Sequence, residues 1–160
     1  MSHIAVLGFA LLIGVVAGLR SLTAPAVVSW AAFLGWVDLD NRWLHWLGHP
    51  ATVTVLTILA VVELVTDQLP KTPSRKTPPQ FITRIITGGF AGAVLGAAYH
   101  YTWSSLGAGV VGAVLGTLGG YELRSRLVAA TGGRDLPIAL LEDVIAVGGG
   151  FLIVYYFGSP

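Results

Sequence analysis

Two carboxylates stand near the end of a long apolar run. Glu63 and Asp67 are four residues apart in the run that begins at Ala51, so they lie on one face of a helix. Carboxylates within such a run bind a hard cation, carry a proton or pair with an arginine. We expect a cation or proton site at Glu63, with an ion pair to Arg20 or Arg84 as the equally weighted alternative. For Asp67, nearer the helix end, the ion pair is favoured.

A second acidic pair, Glu142 and Asp143, opens the last apolar run. The dipole of a helix favours negative charge near its first turns, and this simple explanation suits Asp143. Glu142 lies deeper in the run and could share a site with Glu63.

Arg20 and Ser21 interrupt the first apolar run shortly before Pro25. Unwound backbone next to a guanidinium could hold an anion or a lipid phosphate. The alternative is that Arg20 neutralises Glu63. We expect one long, broken helix here, because proline removes a helix hydrogen bond and disfavours helix at the residue before it. Two short helices joined by a tight hairpin are the alternative.

The composition indicates that most of the protein surface faces lipid. Only 11% of the 160 residues are charged and 54% are hydrophobic, whereas a soluble domain carries about 25% charge. The net charge of +1 argues against a nucleic-acid partner. The absence of cysteine excludes disulfides and thiolate metal sites. The sequence names no cofactor.

The apolar runs predict an all-α protein with a single transmembrane domain, 1–160. We expect a polytopic helical bundle of five spans, or six if the first segment is a hairpin. The predicted spans are 4–37, 51–69, 85–101, 106–123 and 137–157. The basic segments 71–80 and 124–134 are predicted to be cytoplasmic, and 155–160 to lie outside. The N-terminus is then inside with five spans and outside with six.

A short motif indicates a possible internal repeat. Leu19-Arg20-Ser21 recurs as Leu123-Arg124-Ser125, and each copy ends an apolar run that contains glycine. With five spans the two copies run in opposite directions, as in the inverted repeats of many transporters. A chance match of three residues in so biased a composition is the alternative.

Glycines recur every fourth residue in two of the predicted spans. This pattern is typical of close packing between membrane helices, within one chain or between copies. We expect a homo-oligomer, because a chain of 16.8 kDa can barely enclose a pathway alone. The glycines predicted to pack are Gly88, Gly92 and Gly96 in one span and Gly112, Gly116 and Gly120 in the next.

The chain resembles a bacterial inner-membrane family known as domain of unknown function 4126. The features that carry the resemblance are Gly18-Leu19-Arg20, Glu63, Asp67, Pro70, Arg84, the glycines from Gly88, and Glu142-Asp143-Val144. Tyr121-Glu122 departs from the family pattern, so nothing is carried over to Glu122 or Arg124. The resemblance implies a compact, multi-pass helical protein of the bacterial inner membrane, and it implies no particular activity.

These observations favour a transporter or channel-like protein for a small solute, ion or proton. A membrane-embedded enzyme or binding protein that acts on a lipid phosphate is the first alternative, and a structural accessory subunit is the second. An enzyme is less expected than a transporter, because the sequence has no phosphate-binding loop, His-Glu-x-x-His motif or nucleophile elbow. The candidate solute-binding or ion-binding residues are Arg20, Ser21, Glu63, Asp67, Glu142 and Asp143.

Overall fold

The computed structural model describes residues 1–39, 43–69 and 74–159. These residues form six α-helices, a short 3₁₀ helix at His45–Gly48 and no strand, which confirms the all-α prediction. The helices are α1 His3–Leu19, α2 Thr23–Phe33, α3 Pro50–Thr66, α4 Pro78–Ala97, α5 Thr102–Ala130 and α6 Asp135–Gly158. Pro70, residues 71–73 of the segment predicted to be cytoplasmic, and Pro160 lie outside the described part of the chain.

Two of these helices, α5 and α6, are long and apolar enough to cross a membrane. Three others, α1, α2 and α3, are apolar but have 17, 11 and 17 residues.

Helices α1, α4 and α5 form the centre of the bundle. His3 and Ser104, at the starts of α1 and α5, are joined by a hydrogen bond of 2.9 Å. At the other end Gly18 packs against Gly116, so α1 and α5 run in the same direction. The predicted inverted repeat requires opposite directions for the two Leu-Arg-Ser copies, and the structure does not support it. Helix α4 is antiparallel to α5, because Gly96 packs against Ser105 near the start of α5.

The first apolar segment is a hairpin rather than one long helix. Gly150 of α6 faces both Val16 of α1 and Val27 of α2, and further along α6 Gly158 faces Trp36, which follows α2. Helix α2 therefore turns back alongside α1. The break comes at residues 20–22 and not at Pro25, because proline is tolerated in the first turn of a helix.

Helix α5 continues beyond the predicted end of its span. Arg124 and Arg126 lie within it, so the predicted loop begins at Thr131 instead. The helix extends because 121–130 contains no glycine or proline and Arg126 pairs with Glu122 one turn earlier at 3.0 Å. The loop itself contains Gly132 and Gly133, whose φ angles of 73° and 87° favour glycine. Helix α4 likewise begins earlier than predicted, because Pro78 and Pro79 start it.

The predicted glycine faces pack within the chain. A methyl group on Gly112 would overlap the carbonyl oxygen of Leu11, and one on Gly116 would overlap that of Val15. Gly88, Gly92 and Gly96 of α4 meet α5 in the same way, and Gly120 contacts Leu19 and Arg75. Close packing is therefore confirmed as intramolecular. The expected homo-oligomer stays a prediction, and these faces are not free to form it.

Candidate functional site: a buried arginine cluster

The charged residues gather at one end of the bundle, where α1, α3 and α5 end and α2, α4 and α6 begin. We call this the basic end. The end defined by Trp36, Tyr155 and Phe157 is the aromatic end. Four arginines from four different segments converge at the basic end and form the arginine cluster: Arg20, Arg75, Arg84 and Arg124. The hairpin of α1 and α2 turns at this level, whereas α5 continues for about ten residues, or about 15 Å, beyond Gly120.

Arg20 forms the centre of the cluster and is 1% exposed. Its Nε donates to Asp143 Oδ1 at 2.6 Å, and its Nη1 donates to Asp67 Oδ2 at 3.1 Å. The other oxygen of Asp143 accepts from Gln68 at 2.8 Å. The extended backbone of Arg20, where α1 ends, brings its side chain between α3 and α6. The guanidinium thus joins helices that are far apart in sequence.

Arg84 of α4 approaches the same carboxylate from the other side. Its Nη2 lies 3.6 Å from Asp67 Oδ2, and its Nη1 donates to the carbonyl oxygen of Gly18 at 2.9 Å. Gly18 belongs to the last turn of α1, where carbonyl groups have no partner within the helix. Arg84 therefore both pairs with Asp67, as the sequence suggested, and caps α1.

Glu142 is shared by two further arginines. Arg75 holds it with two hydrogen bonds, of 2.6 and 3.0 Å, and Arg124 Nη1 donates to it at 3.2 Å. Arg124 also binds Asp135 in the first turn of α6, at 2.8 and 2.9 Å. Such paired contacts from a planar guanidinium are strong and directional. They fix the start of α6 to α5 and to the segment that precedes α4.

Glu63 does not pair with Arg20 or Glu142, in contrast to the predicted contact. Its Oε1 accepts from the backbone N–H and the hydroxyl of Ser21, at 2.7 and 2.5 Å, and its Oε2 accepts from the N–H of Leu22 at 2.7 Å. Leu22 precedes α2 and supplies no side-chain cap of its own. The buried carboxylate of α3 therefore caps the start of α2 and favours it electrostatically. Its interior position was predicted correctly.

A cavity of about 780 Å³ lies beside the cluster. It opens at the basic end, where the lining residues Ser74, Ser125 and Leu136 are exposed. Its lining includes all four arginines of the cluster together with Asp67 and Asp135. At its rim the ammonium group of Lys76 lies 4.0 Å from the centre of the Tyr121 ring. The cavity exists because the hairpin of α1 and α2 ends before the helices around it.

The predicted site residues fall into two connected groups. Arg20, Asp67, Glu142 and Asp143 share the arginine cluster, whereas Ser21 and Glu63 form the cap directly behind it. Sequence reasoning missed Arg75 and Arg124 as members, because it assigned both to loops. One signal could have found them: alternating helix directions bring the ends of apolar runs together, and each of these arginines lies next to such an end.

The acidic side chains of this site are engaged by donors of the protein itself. The described residues contain no group of three histidine or acidic side chains arranged to hold a metal ion. Asp67, Glu142 and Asp143 already accept hydrogen bonds from arginine, and Glu63 accepts them from backbone amides. The groups that line the cavity in excess are therefore guanidinium donors, which suit oxygen-rich anions.

Comparison with known proteins identifies the family. Residues 7–156 match the family described as Domain of unknown function (DUF4126), so the chain belongs to it. This confirms the resemblance seen in the sequence. No curated protein and no solved structure matches the chain.

Proposed function

We propose that this member of the family is a multi-pass inner-membrane protein that moves a small solute through the cavity at its basic end. The observation that carries the proposal is a cavity lined by buried arginines inside a bundle whose outer surface is apolar. The membrane location, the orientation and the activity are each supported by a separate feature of the structure.

The distribution of polarity supports a membrane location. Ile58, Val62 and Val144 lie within helices and are 57%, 50% and 69% exposed, whereas Arg20 and Arg84 are 1% and 2% exposed. Exposed apolar patches of this kind mark contact with lipid or with a partner. Buried, paired charges are the form in which ionisable residues occur within membranes.

The basic residues support an orientation with the basic end in the cytoplasm. Lys76, Arg126 and Arg134 lie there, outside the paired core of the cluster, and positive charge favours the cytoplasmic side. Because α1 and α2 form a hairpin, both His3 and Tyr155 lie at the opposite end. This is the arrangement that the sequence predicted for six spans, with the N-terminus and the C-terminus outside.

The shape of the bundle supports solute transfer. The cavity opens toward the cytoplasm and ends at the turn between α1 and α2, where Glu63 holds the unwound backbone. Aromatic contacts such as Phe9 with Phe157, and Trp36 with Tyr155, close the other end. A cavity that is open on one side of the bundle and closed on the other is the arrangement expected of an inward-open transporter.

Flux into proteoliposomes tests this proposal. The probes are radiolabelled phosphate, sulfate, acetate and sodium, with a pH-sensitive dye for protons. We expect the wild-type chain to accelerate the uptake of at least one probe relative to empty liposomes. Arg84→Gln should abolish that uptake, whereas Arg126→Gln, which changes an arginine 76% exposed, should not. Uptake equal to that of empty liposomes for every probe would contradict transport.

A lipid-phosphate-binding protein is the second candidate. A narrow apolar groove of about 100 Å³ runs between α5 and α6 and reaches the cluster at Arg124 and Glu142. Leu123, Leu127 and Leu141 line it, so an acyl chain could lie there with its phosphate near the arginines. Binding of a lipid without flux of any probe would favour this candidate.

A further inference from the structure

Two guanidinium nitrogens, on arginines that line the cavity, have no hydrogen-bond acceptor among the described residues. They are Arg20 Nη2 and Arg84 Nε, and both lie on side chains that are almost fully buried. Glu142 Oε2 lies 4.0 Å from Arg20 Nη2, too far for a hydrogen bond. A buried donor without an acceptor is unfavourable, particularly when it carries charge. Arg20 and Arg84, which both line the cavity, therefore each keep one donor that the described residues leave without an acceptor.

The acids of the cluster do not supply that acceptor. Asp67 and Asp143 each bind Arg20 through one oxygen, and Glu142 is held by two hydrogen bonds from Arg75. Their positions are fixed by contacts that join several helices. Since no described residue supplies the acceptor, a molecule bound in the adjoining cavity is the candidate for it.

The cavity lining also bears on the chemistry of that molecule. Four arginines line it against two aspartates, and Asp135 already accepts hydrogen bonds from Nε and Nη2 of Arg124. Glu142 and Asp143 belong to the cluster but not to the cavity wall. The side chains that a ligand meets are therefore richer in guanidinium than in carboxylate groups, while Glu142 and Asp143 behind them balance the charge of the cluster. Lys76 adds a positive charge at the rim.

We propose that the cavity binds a phosphate-type oxyanion between Arg20 and Arg84. Such an anion presents several oxygen acceptors in different directions, and arginine matches phosphate through two parallel N–H donors. The volume of about 780 Å³ leaves room for a substituent on the phosphate. The source is free phosphate, a soluble phosphate ester or the phosphate of a lipid head group. The inference rests on the proposed function and names its substrate class.

Equilibrium binding to the full chain in detergent tests the inference. Calorimetric titrations use inorganic phosphate and a short-chain phosphatidic acid as separate probes, with sodium chloride and sodium acetate at matched ionic strength as controls. We expect phosphate to bind the wild type and to raise its melting temperature beyond the effect of the control salts. Arg84→Gln should weaken binding about tenfold or more, equivalent to the loss of one strong charged contact. Arg126→Gln should bind as the wild type does.

The outcomes separate the sources of phosphate. Binding of both probes supports a general phosphate site, binding of inorganic phosphate alone supports a soluble ligand, and binding of phosphatidic acid alone supports a lipid. If Arg84→Gln does not fold, Arg84→Lys keeps the positive charge but removes the Nε donor, and binding should again fall. Phosphate and phosphatidic acid that affect the wild type no more than chloride and acetate would overturn the inference.

The same measurements distinguish this inference from the proposed function. Phosphate binding without flux in proteoliposomes would contradict transport and leave the phosphate site standing. Flux of sodium or protons without phosphate binding would contradict the phosphate site and leave transport standing.

Discussion

Glu63 caps helix α2, which lies far from it in the sequence. It accepts a hydrogen bond from the N–H of Leu22, which stands 41 positions earlier. Its two oxygens accept from two backbone N–H groups and one hydroxyl, and the residue is 8% exposed. The three groups that bond it all act as donors. The residue therefore connects the hairpin turn beside Ser21 to α3, directly behind the arginine cluster.

We predict that Glu63→Gln destabilises the fold by about 2 kcal/mol, as expected for hydrogen bonds to a charged group. The amide replaces one acceptor oxygen with a donor that meets another N–H. Ser21→Ala removes only the hydroxyl contact and should destabilise by about 1 kcal/mol. Thermal melts in detergent measure both effects. Glu122→Gln serves as the control, because its ion pair with Arg126 is exposed. An equal melting temperature for Glu63→Gln and wild type would contradict the cap.

At the scale of elements, the bundle depends on how closely its central helices approach. Gly116 of α5 lies against the backbone of Val15 in α1, whereas a methyl group added to Gly119 on the same helix would meet no atom within 4 Å. The two glycines therefore lie in the same helix but in different surroundings. They offer a matched test of the packing between α1 and α5.

We predict that alanine has opposite effects at these two positions. Gly116→Ala should destabilise by about 1–3 kcal/mol, because the new methyl group forces two backbones apart. Gly119→Ala should stabilise by up to about 1 kcal/mol, because alanine favours helix more than glycine does. Thermal unfolding of both variants in one detergent provides the comparison. Equal shifts of the same sign would show that α1 and α5 do not pack as described.

The elements are more predictable than their contacts. Apolar runs predict α3 and α6 within a few residues, since hydrophobic stretches are read directly from the sequence. The local sequence does not decide between a hairpin and one long helix, because the turn depends on Glu63, which is distant along the chain. The arginine cluster is only partly predictable for the same reason: Arg75 and Arg124 join Glu142 through tertiary packing that no local pattern encodes.

At the scale of the whole molecule, the proposed topology differs from the five-span prediction at one terminus. With α1 and α2 as a hairpin, the chain begins and ends on the same side. Five spans would separate the two termini. The orientation of the basic end is the same in both arrangements, so labelling of the N-terminus distinguishes them.

We predict that single cysteines at Ser2 and Ser159 react with an impermeant thiol reagent in intact cells, whereas Ser74→Cys does not. The chain has no native cysteine, so each label reports one position. Permeabilised cells, in which all three variants should react, are the control for accessibility. If Ser159→Cys is labelled and Ser2→Cys is not, the result would support the five-span arrangement. Labelling of Ser74→Cys would reverse the orientation of the protein.

The central claim is that solute passes through the arginine-lined cavity, and cysteine block of flux tests it most directly. Ser125 lines the cavity and Ala130 lies near it on α5 without lining it. We predict that a bulky charged thiol reagent applied from the cytoplasmic side stops flux in Ser125→Cys proteoliposomes. Bound phosphate should slow this block. The same reagent should leave the flux of Ala130→Cys proteoliposomes unchanged. Undiminished flux after complete modification of Ser125→Cys would contradict the claim.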